Sequence, residues 1–149
     1  LPINYILCYI LGGFKTKIMS KIFLGGTCNN STWRSQIEKL VQVAMFNPVV
    51  DDWTEECQAI EMDEKENKCD IHLYVITSQM IGVFSIAEVI DSVHNKTKKT
   101  LLHVIPDGFD KGQLKSLKAV VNLVKLRGGI AYIDEELNRT ARVLNYAFK

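Results

Sequence analysis

The sequence predicts an α/β fold: a three-layer, doubly wound sandwich around a five-stranded parallel sheet. Short apolar runs alternate along the chain with longer segments of helical periodicity. The run from Ile71 to Ile76 is apolar almost throughout, as expected for a central strand that helices cover on both faces. Strands and helices that alternate in this way form parallel sheets through right-handed crossovers.

Five apolar runs are predicted as strands because turn-forming residues close each of them. The predicted strands span residues 21–24, 45–50, 71–76, 100–105 and 130–133. Pro48 interrupts the second strand, and proline is tolerated best at a sheet edge. The strand order 2-1-3-4-5 places that strand at the edge and lets the crossovers cover both faces. The predicted topology is therefore flavodoxin- or Rossmann-like.

Polar residues that cap helices stand between the strands. The predicted helix starts are Ser31, Thr54, Ser85, Asp110 and Asp134. Asp110 and Gln113 have the spacing of a capping box, and Gly128-Gly129 is typical of a helix end. The second helix is charged and predicted to be exposed, with Cys57, Ile60 and Glu61 turned inward. The last helix carries more apolar residues than an exposed terminal helix needs: Leu137, Val143, Leu144, Tyr146 and Phe148.

Length and composition are those of one ordinary soluble domain. The chain has 149 residues, of which 47% are apolar and 23% charged. Its 18 basic and 17 acidic residues leave a formal charge of +1. Proteins that bind nucleic-acid polymers usually show a clustered basic excess, and here Lys96, Lys98 and Lys99 form the only tight basic cluster. The composition therefore predicts no nucleic-acid polymer as a partner.

The cysteines do not form a metal-binding pattern. Cys8, Cys28, Cys57 and Cys69 have neither C-x-x-C spacing nor a histidine at zinc-finger distance. Reduced thiols in a cytoplasmic protein account for them. The turn Gly25-Gly26-Thr27 lacks the full G-x-G-x-x-G fingerprint and the Walker lysine, so a dinucleotide or P-loop site is unsupported. We therefore expect a cytoplasmic protein with neither metal nor cofactor.

The first eighteen residues differ from the rest of the chain. Residues 6–14 are apolar, but they are too few to span a bilayer and no basic n-region of a signal peptide precedes them. Met19 leads directly into the first strand. We therefore expect residues 1–18 to be an upstream or non-native extension, residues 19–149 to form the domain, and no membrane to be a partner. A membrane or partner anchor is the alternative, and truncation at Met19 distinguishes the two.

Three turns follow strands of the predicted sheet and meet at one crevice. The glycines of Gly25-Gly26-Thr27 let a ligand approach the backbone, although a tight strand-to-helix turn explains them equally well. The segment Asp51-Asp52-Trp53 suits a small planar polar ligand, because the indole can stack while a carboxylate bonds a base or sugar hydroxyl. Taken alone, that segment is more simply an ordinary turn. The third turn leads through Gly82, Phe84 and Ser85 to Glu88.

Glu88 has two interpretations. Ser85 and Glu88 have capping-box spacing, so the carboxylate could merely accept the amide hydrogen bond of Ser85. Alternatively, the positive end of the helix dipole keeps the carboxylate ionised, as a nucleophile must be. The spacing does not decide between them.

From Met19 onward the sequence resembles the nucleoside 2-deoxyribosyltransferase-like family. The likeness rests on residues 21–27, 47–53, 70–77 and 82–88. It implies that Glu88 is the nucleophile that attacks C1′ of a deoxynucleoside and displaces the base, after which the sugar passes to another base or to water. It also implies that the segment at Gly25-Gly26-Thr27 lines the sugar and base, and that the protein is a homodimer or higher homo-oligomer.

The sequence departs from the family pattern at two positions. Gly82 stands where family transferases usually carry an aspartate, six positions before the nucleophile. The expected aromatic residue of the first strand is Phe23, which has no hydroxyl. We expect Asp51 or Asp52 to supply the missing carboxylate.

The leading hypothesis is an N-glycosidic-bond enzyme that acts on a small-molecule nucleoside or nucleotide. The expected catalytic residues are Glu88, Asp51 and Asp52. The expected substrate-binding residues are Gly25, Gly26, Thr27, Trp53, Gly82, Phe84 and Ser85. One alternative is an NAD glycohydrolase, because residues 77–88 also resemble the serine loop and glutamate of TIR-type enzymes. Another is a non-catalytic module that binds or senses a nucleotide, which Gly82 in place of the aspartate favours.

Overall fold

The computed structural model describes residues 20–147, which form one five-stranded sheet. The strands are β1 (Lys21–Gly26), β2 (Ala44–Phe46), β3 (Ile71–Ile76), β4 (Lys99–Val104) and β5 (Ile130–Ile133). All pairings are parallel, and the order is β2-β1-β3-β4-β5. The predicted fold class and strand order are confirmed. The expectations for residues 1–18 and for Cys8 fall outside the described residues.

Helices connect the strands on both faces of the sheet. They are α1 (Trp33–Leu40), α2 (Glu55–Asp63), α3 (Phe84–His94), α4 (Lys111–Leu126) and α5 (Leu137–Arg142). A π-helical turn over Glu64–Lys68 extends α2, and another over Val143–Ala147 extends α5. Thr54 caps α2 through the amide of Cys57, and the capping box of Asp110 and Gln113 opens α4, as predicted.

Several boundaries differ from prediction because local polar contacts compete with capping. The cap of α1 is Thr32, since the Ser31 hydroxyl donates to the carbonyls of Thr27 and Cys28. The last helix begins at Leu137, because the Asp134 carboxylate accepts the Glu136 amide and pairs with Arg139. Strand β2 has only three residues, so Pro48 lies after it rather than within it. Ile60, predicted to point inward, is half exposed.

The core has two halves, one on each face of the sheet. On one face, α1 and α5 bury Trp33, Ile37 and Leu144 against β1, β3 and β4. On the other face, α3 and α4 pack Val89 and Val121 against the opposite side chains of β3 and β4. This alternation of side chains between faces gives the three layers their separate cores.

The apolar residues of the terminal helix pack on the sheet. Leu137, Ala141 and Leu144 are buried in the core, whereas Tyr146 is exposed. Phe148 is outside the described residues. The surplus of apolar side chains therefore does not itself require a partner subunit, and a homo-oligomer stays a prediction.

The basic cluster after α3 satisfies backbone carbonyls. Lys96 donates to the carbonyls of Val93 and Arg127, at the ends of α3 and α4. Lys98 donates to the carbonyls of Glu66 and Cys69 at 2.6 and 2.7 Å. Cations at these positions bond the orphan carbonyls of helix ends and complement their dipoles. The lysines thus have a structural role that requires no nucleic acid.

Across residues 20–147, no helix combines the length and apolar character needed to cross a membrane. The same residues contain no cluster of His, Cys, Asp and Glu suited to a metal ion. Cys28, Cys57 and Cys69 are free thiols.

Candidate active site

A cleft of about 590 Å³ opens at the carboxyl edge of β1. Its lining comes from the end of β1, the segment after β2, α2 with its π-helical turn, and the start of α3. Ligands of doubly wound sheets bind at this edge, where the strand order reverses between β1 and β3. The cleft is therefore the candidate active site.

Glu88 lines this cleft from the second turn of α3 and does not cap its own helix. The helix begins at Phe84 with Val83 at the cap position, and no side chain bonds its first amides. The Glu88 carboxylate instead lies 3.0 Å from the Lys65 ammonium. Only 14% of the Glu88 side chain and 13% of the Lys65 side chain are exposed. The capping-box interpretation of Ser85 and Glu88 is therefore wrong, and the carboxylate faces the cleft.

Lys65 is held in place by a buried hydrogen-bond network. His72 Nε2 lies 2.8 Å from the Lys65 carbonyl, and His72 Nδ1 lies 2.7 Å from the Ser92 hydroxyl. A carbonyl only accepts, so Nε2 carries the proton and Nδ1 accepts from Ser92. Ser92 in turn accepts from Thr100 at 2.9 Å. Burial lowers the pKa of His72, which keeps the ring neutral and this bonding direction fixed.

Glu61 brings a second carboxylate to the cleft. It extends from α2 one helical turn before Lys65, and its side chain is partly buried. Burial raises the pKa of Glu61, and repulsion from Glu88 adds to the increase, while Lys65 and Arg34 oppose it. Two carboxyl groups in unlike surroundings are the arrangement in which one stays ionised while the other can hold a proton.

The end of β1 forms the inner wall of the cleft. Gly26 has φ of 110°, and a Cβ there would lie 2.2 Å from the Val75 carbonyl oxygen. Arg34 is 6% exposed and donates to the carbonyls of Leu24, Gly26 and Thr27. Burial lowers the pKa of Arg34, an effect that nearby Cys28 opposes. The arginine thus fixes the strand end that faces the cleft.

The predicted site residues separate into two groups. Gly25, Gly26, Trp53, Phe84, Ser85 and Glu88 line the cleft. Thr27 is buried, and its hydroxyl accepts the Thr77 amide, which ties the ends of β1 and β3 together. Asp51 and Asp52 are exposed beside Trp53 and do not line the cleft, and Gly82 is exposed with open space around it. Glu61, which does line the cleft, is the carboxylate placed to take the role expected of Asp51 or Asp52.

Sequence reasoning did not find the cations of the site. Arg34 and Lys65 both line the cleft. A signal existed in α2, where Gln58, Glu61 and Lys65 share a helical face. A polar helical face ordinarily points to solvent, so that pattern alone does not indicate a site.

Fold and cleft together define a doubly wound α/β protein with a candidate active site at the switch point of its sheet. The sequence pattern of the nucleoside 2-deoxyribosyltransferase-like family matches residues 19–107, and the chain belongs to that family. No curated protein gives a significant match to the chain. Family membership supports nucleoside glycosyl transfer as the general function.

Proposed function

We propose that the protein cleaves the N-glycosidic bond of a deoxynucleoside or nucleotide, with Glu88 as the nucleophile. The observation that carries this proposal is the position of the Glu88 carboxylate. It faces the cleft, it is free of any capping role, and Lys65 holds it at 3.0 Å. A carboxylate placed in this way can form a glycosyl ester, which divides one difficult displacement into two easier ones.

The reaction proceeds through two displacements at C1′ of the sugar. In the first, a Glu88 oxygen forms a bond to C1′ as the bond from C1′ to the base nitrogen breaks. The departing base takes a proton, because an anionic base is a poor leaving group. In the second, a nitrogen of another base or a water oxygen attacks C1′, restores the Glu88 carboxylate and gives up a proton. Both steps require a group that can donate and later accept a proton.

Glu61 is the residue best placed to carry that proton. It lines the same cleft as Glu88, and its raised pKa favours the protonated form that an acid catalyst needs. Asp51 and Asp52 flank Trp53 outside the cleft lining. Their proposed role is therefore limited to orienting a base that stacks on the Trp53 indole.

Replacing Glu61 by glutamine is expected to lower kcat for unactivated nucleosides about a hundredfold or more. Wild-type activity should decline as pH rises through the raised pKa of Glu61, because the acid form is then lost. The E61Q variant should lack that decline, and it should cleave a substrate whose leaving group needs no proton almost normally.

Glu66→Gln is the matched control, since Glu66 lines the cleft from an exposed position. Equal losses in both variants would exclude Glu61 as the acid.

The function itself is tested by chromatography of base release from a panel of substrates. The panel contains purine and pyrimidine deoxynucleosides, their 5′-monophosphates and NAD, each with and without an acceptor base. Release of the base supports the proposal, and formation of a new nucleoside distinguishes transfer from hydrolysis. Nicotinamide release from NAD alone would instead favour a TIR-like glycohydrolase. Binding without turnover of any compound would favour a nucleotide-binding module.

Binding is measured through Trp53. This indole lines the cleft and is 59% exposed, whereas Trp33 is 2% exposed beneath α1. A nucleoside that stacks on Trp53 is expected to quench its fluorescence, and Trp53→Phe should remove the response. Trp33→Phe is the control, because it leaves the cleft residue in place. A response that disappears in the W33F variant but persists in W53F would contradict the proposed stacking position.

A further inference from the structure

Tyr74, on β3 beneath α3, carries a polar group that packing does not require. The residue is fully buried, and its hydroxyl has no hydrogen-bond partner among residues 20–147. Phenylalanine would fill the same space without this buried unpaired hydroxyl, which is unfavourable to the folded state. An isolated polar group of this kind calls for an explanation.

The neighbouring hydroxyl of Ser92 is turned to other partners. Ser92 lies close to the Tyr74 hydroxyl, but its own proton is directed to His72 Nδ1 and it accepts from Thr100. The geometry leaves Tyr74 without a bond to it. The Tyr74 hydroxyl is therefore free to donate a hydrogen bond to another side chain that moves within reach.

Glu88 is the carboxylate that can reach the Tyr74 hydroxyl. It lies one helical turn before Ser92 on α3, so the two side chains project from the same face toward β3. The Lys65 ammonium that holds Glu88 is 5.7 Å from the centre of the Phe23 ring, which is 6.4 Å from the centre of the Tyr74 ring. The negative charge of Glu88 also acts on the Tyr74 phenol and raises its pKa.

We propose that Tyr74 is a positioning residue for Glu88, whose carboxylate accepts a hydrogen bond from the Tyr74 hydroxyl when it leaves Lys65 to attack the sugar. This proposal rests on the proposed function of Glu88. The bond holds one carboxylate oxygen and leaves the other free to attack C1′. Since an ester carbonyl is uncharged, the neutral phenol can hold Glu88 in the covalent state, where the ion pair to Lys65 no longer exists.

Two features of the structure agree with this role. Gly25 is the partner of Tyr74 in the pairing of β1 with β3, and a Cβ at Gly25 would lie 2.5 Å from Tyr74 Cε1. The glycine therefore leaves room for the ring in its present position. Burial and the charge of Glu88 raise the pKa of Tyr74, so the hydroxyl keeps its proton and remains a donor.

The test compares Tyr74→Phe with the wild type in kcat, KM and melting temperature. We expect kcat to fall about tenfold or more while KM changes little, since only the reacting carboxylate is affected. We expect the melting temperature to stay unchanged or to rise, because the unpaired hydroxyl is gone. A merely structural tyrosine would not separate activity from stability in this direction.

Tyr132→Phe is the matched control. Tyr132 is buried on the other face of the sheet, and its hydroxyl bonds Thr140. This variant should lose stability and keep kcat. If Tyr74→Phe keeps full activity while Glu88→Gln is inactive, the positioning role is overturned and the nucleophile stands. If Glu88→Gln is active, the proposed function fails instead.

A crystal structure of Lys65→Met provides a readout that needs no activity. Without the ammonium, the Glu88 carboxylate is expected to lie about 2.7 Å from the Tyr74 hydroxyl. A carboxylate that turns to solvent in this variant, and a Tyr74 hydroxyl that stays unpaired, would overturn the proposal.

Discussion

Replacing Glu88 by alanine is expected to reduce base release about a thousandfold or more, because the covalent path then has no nucleophile. The unfolding free energy should fall by only about 1–2 kcal/mol, since Lys65 loses its carboxylate but opens onto the cleft, while the core is untouched. Glu88→Gln should be equally inactive. Base release and thermal melting, measured on the same preparation, separate the catalytic effect from the structural one.

Asp91→Asn is the control for this experiment. Asp91 lines the cleft from the next turn of α3, but no cation lies within ion-pair distance of it among the described residues. Its replacement should leave most of the activity. Substantial turnover by the E88A variant would rule out Glu88 as the nucleophile.

Gly26→Ala is expected to have the largest effect on stability, a loss of about 3 kcal/mol or more. A Cβ at this position would lie 2.2 Å from the Val75 oxygen and 2.7 Å from the Val75 nitrogen, and backbone atoms cannot rotate away as side chains do. The φ of 110° adds strain for any residue with a side chain. The melting temperature should fall by about 10 °C or more.

Gly82→Ala is the comparison for this variant. A Cβ at Gly82 would have no heavy atom within 4 Å, so its stability should change by less than about 0.5 kcal/mol. Similar melting temperatures for the two alanine variants would show that the close approach at Gly26 is relieved by a small shift of β3.

The sequence predicts the sheet well because its determinants are local. Periodicity separates strands from helices, and the apolar run of residues 71–76 marks the central strand. Pro48 indicated an edge strand correctly, although the strand ends before it. The helix starts at Ser31 and Asp134 were misplaced because their side chains bond backbone groups two to four residues away instead of capping a helix.

The site is less predictable because its contacts join residues that lie far apart in the sequence. Glu88 and the glycines of β1 follow from the strand ends, whereas Lys65 reaches Glu88 across 23 residues of sequence. Arg34 donates hydrogen bonds to backbone carbonyls at the end of β1. Every residue has such a carbonyl, so no sequence pattern predicts these bonds. Glu61 and Glu88 likewise come from different helices, and only the folded chain brings them into one cleft.

The imidazole of His72 does not line the cleft, but it bonds the Lys65 carbonyl and packs edge-on against Phe23, so its protonation affects the acid range of the site. Its buried ring binds a proton less readily than a histidine in the unfolded chain, whose pKa is about 6.5. The neutral ring therefore contributes stability above that pH, and the contribution is lost as the solution is acidified below it. A proton on Nδ1 would also reverse the bond from Ser92 and disturb the anchor of Lys65. A residue outside the cleft lining thus contributes to the tolerance of acid.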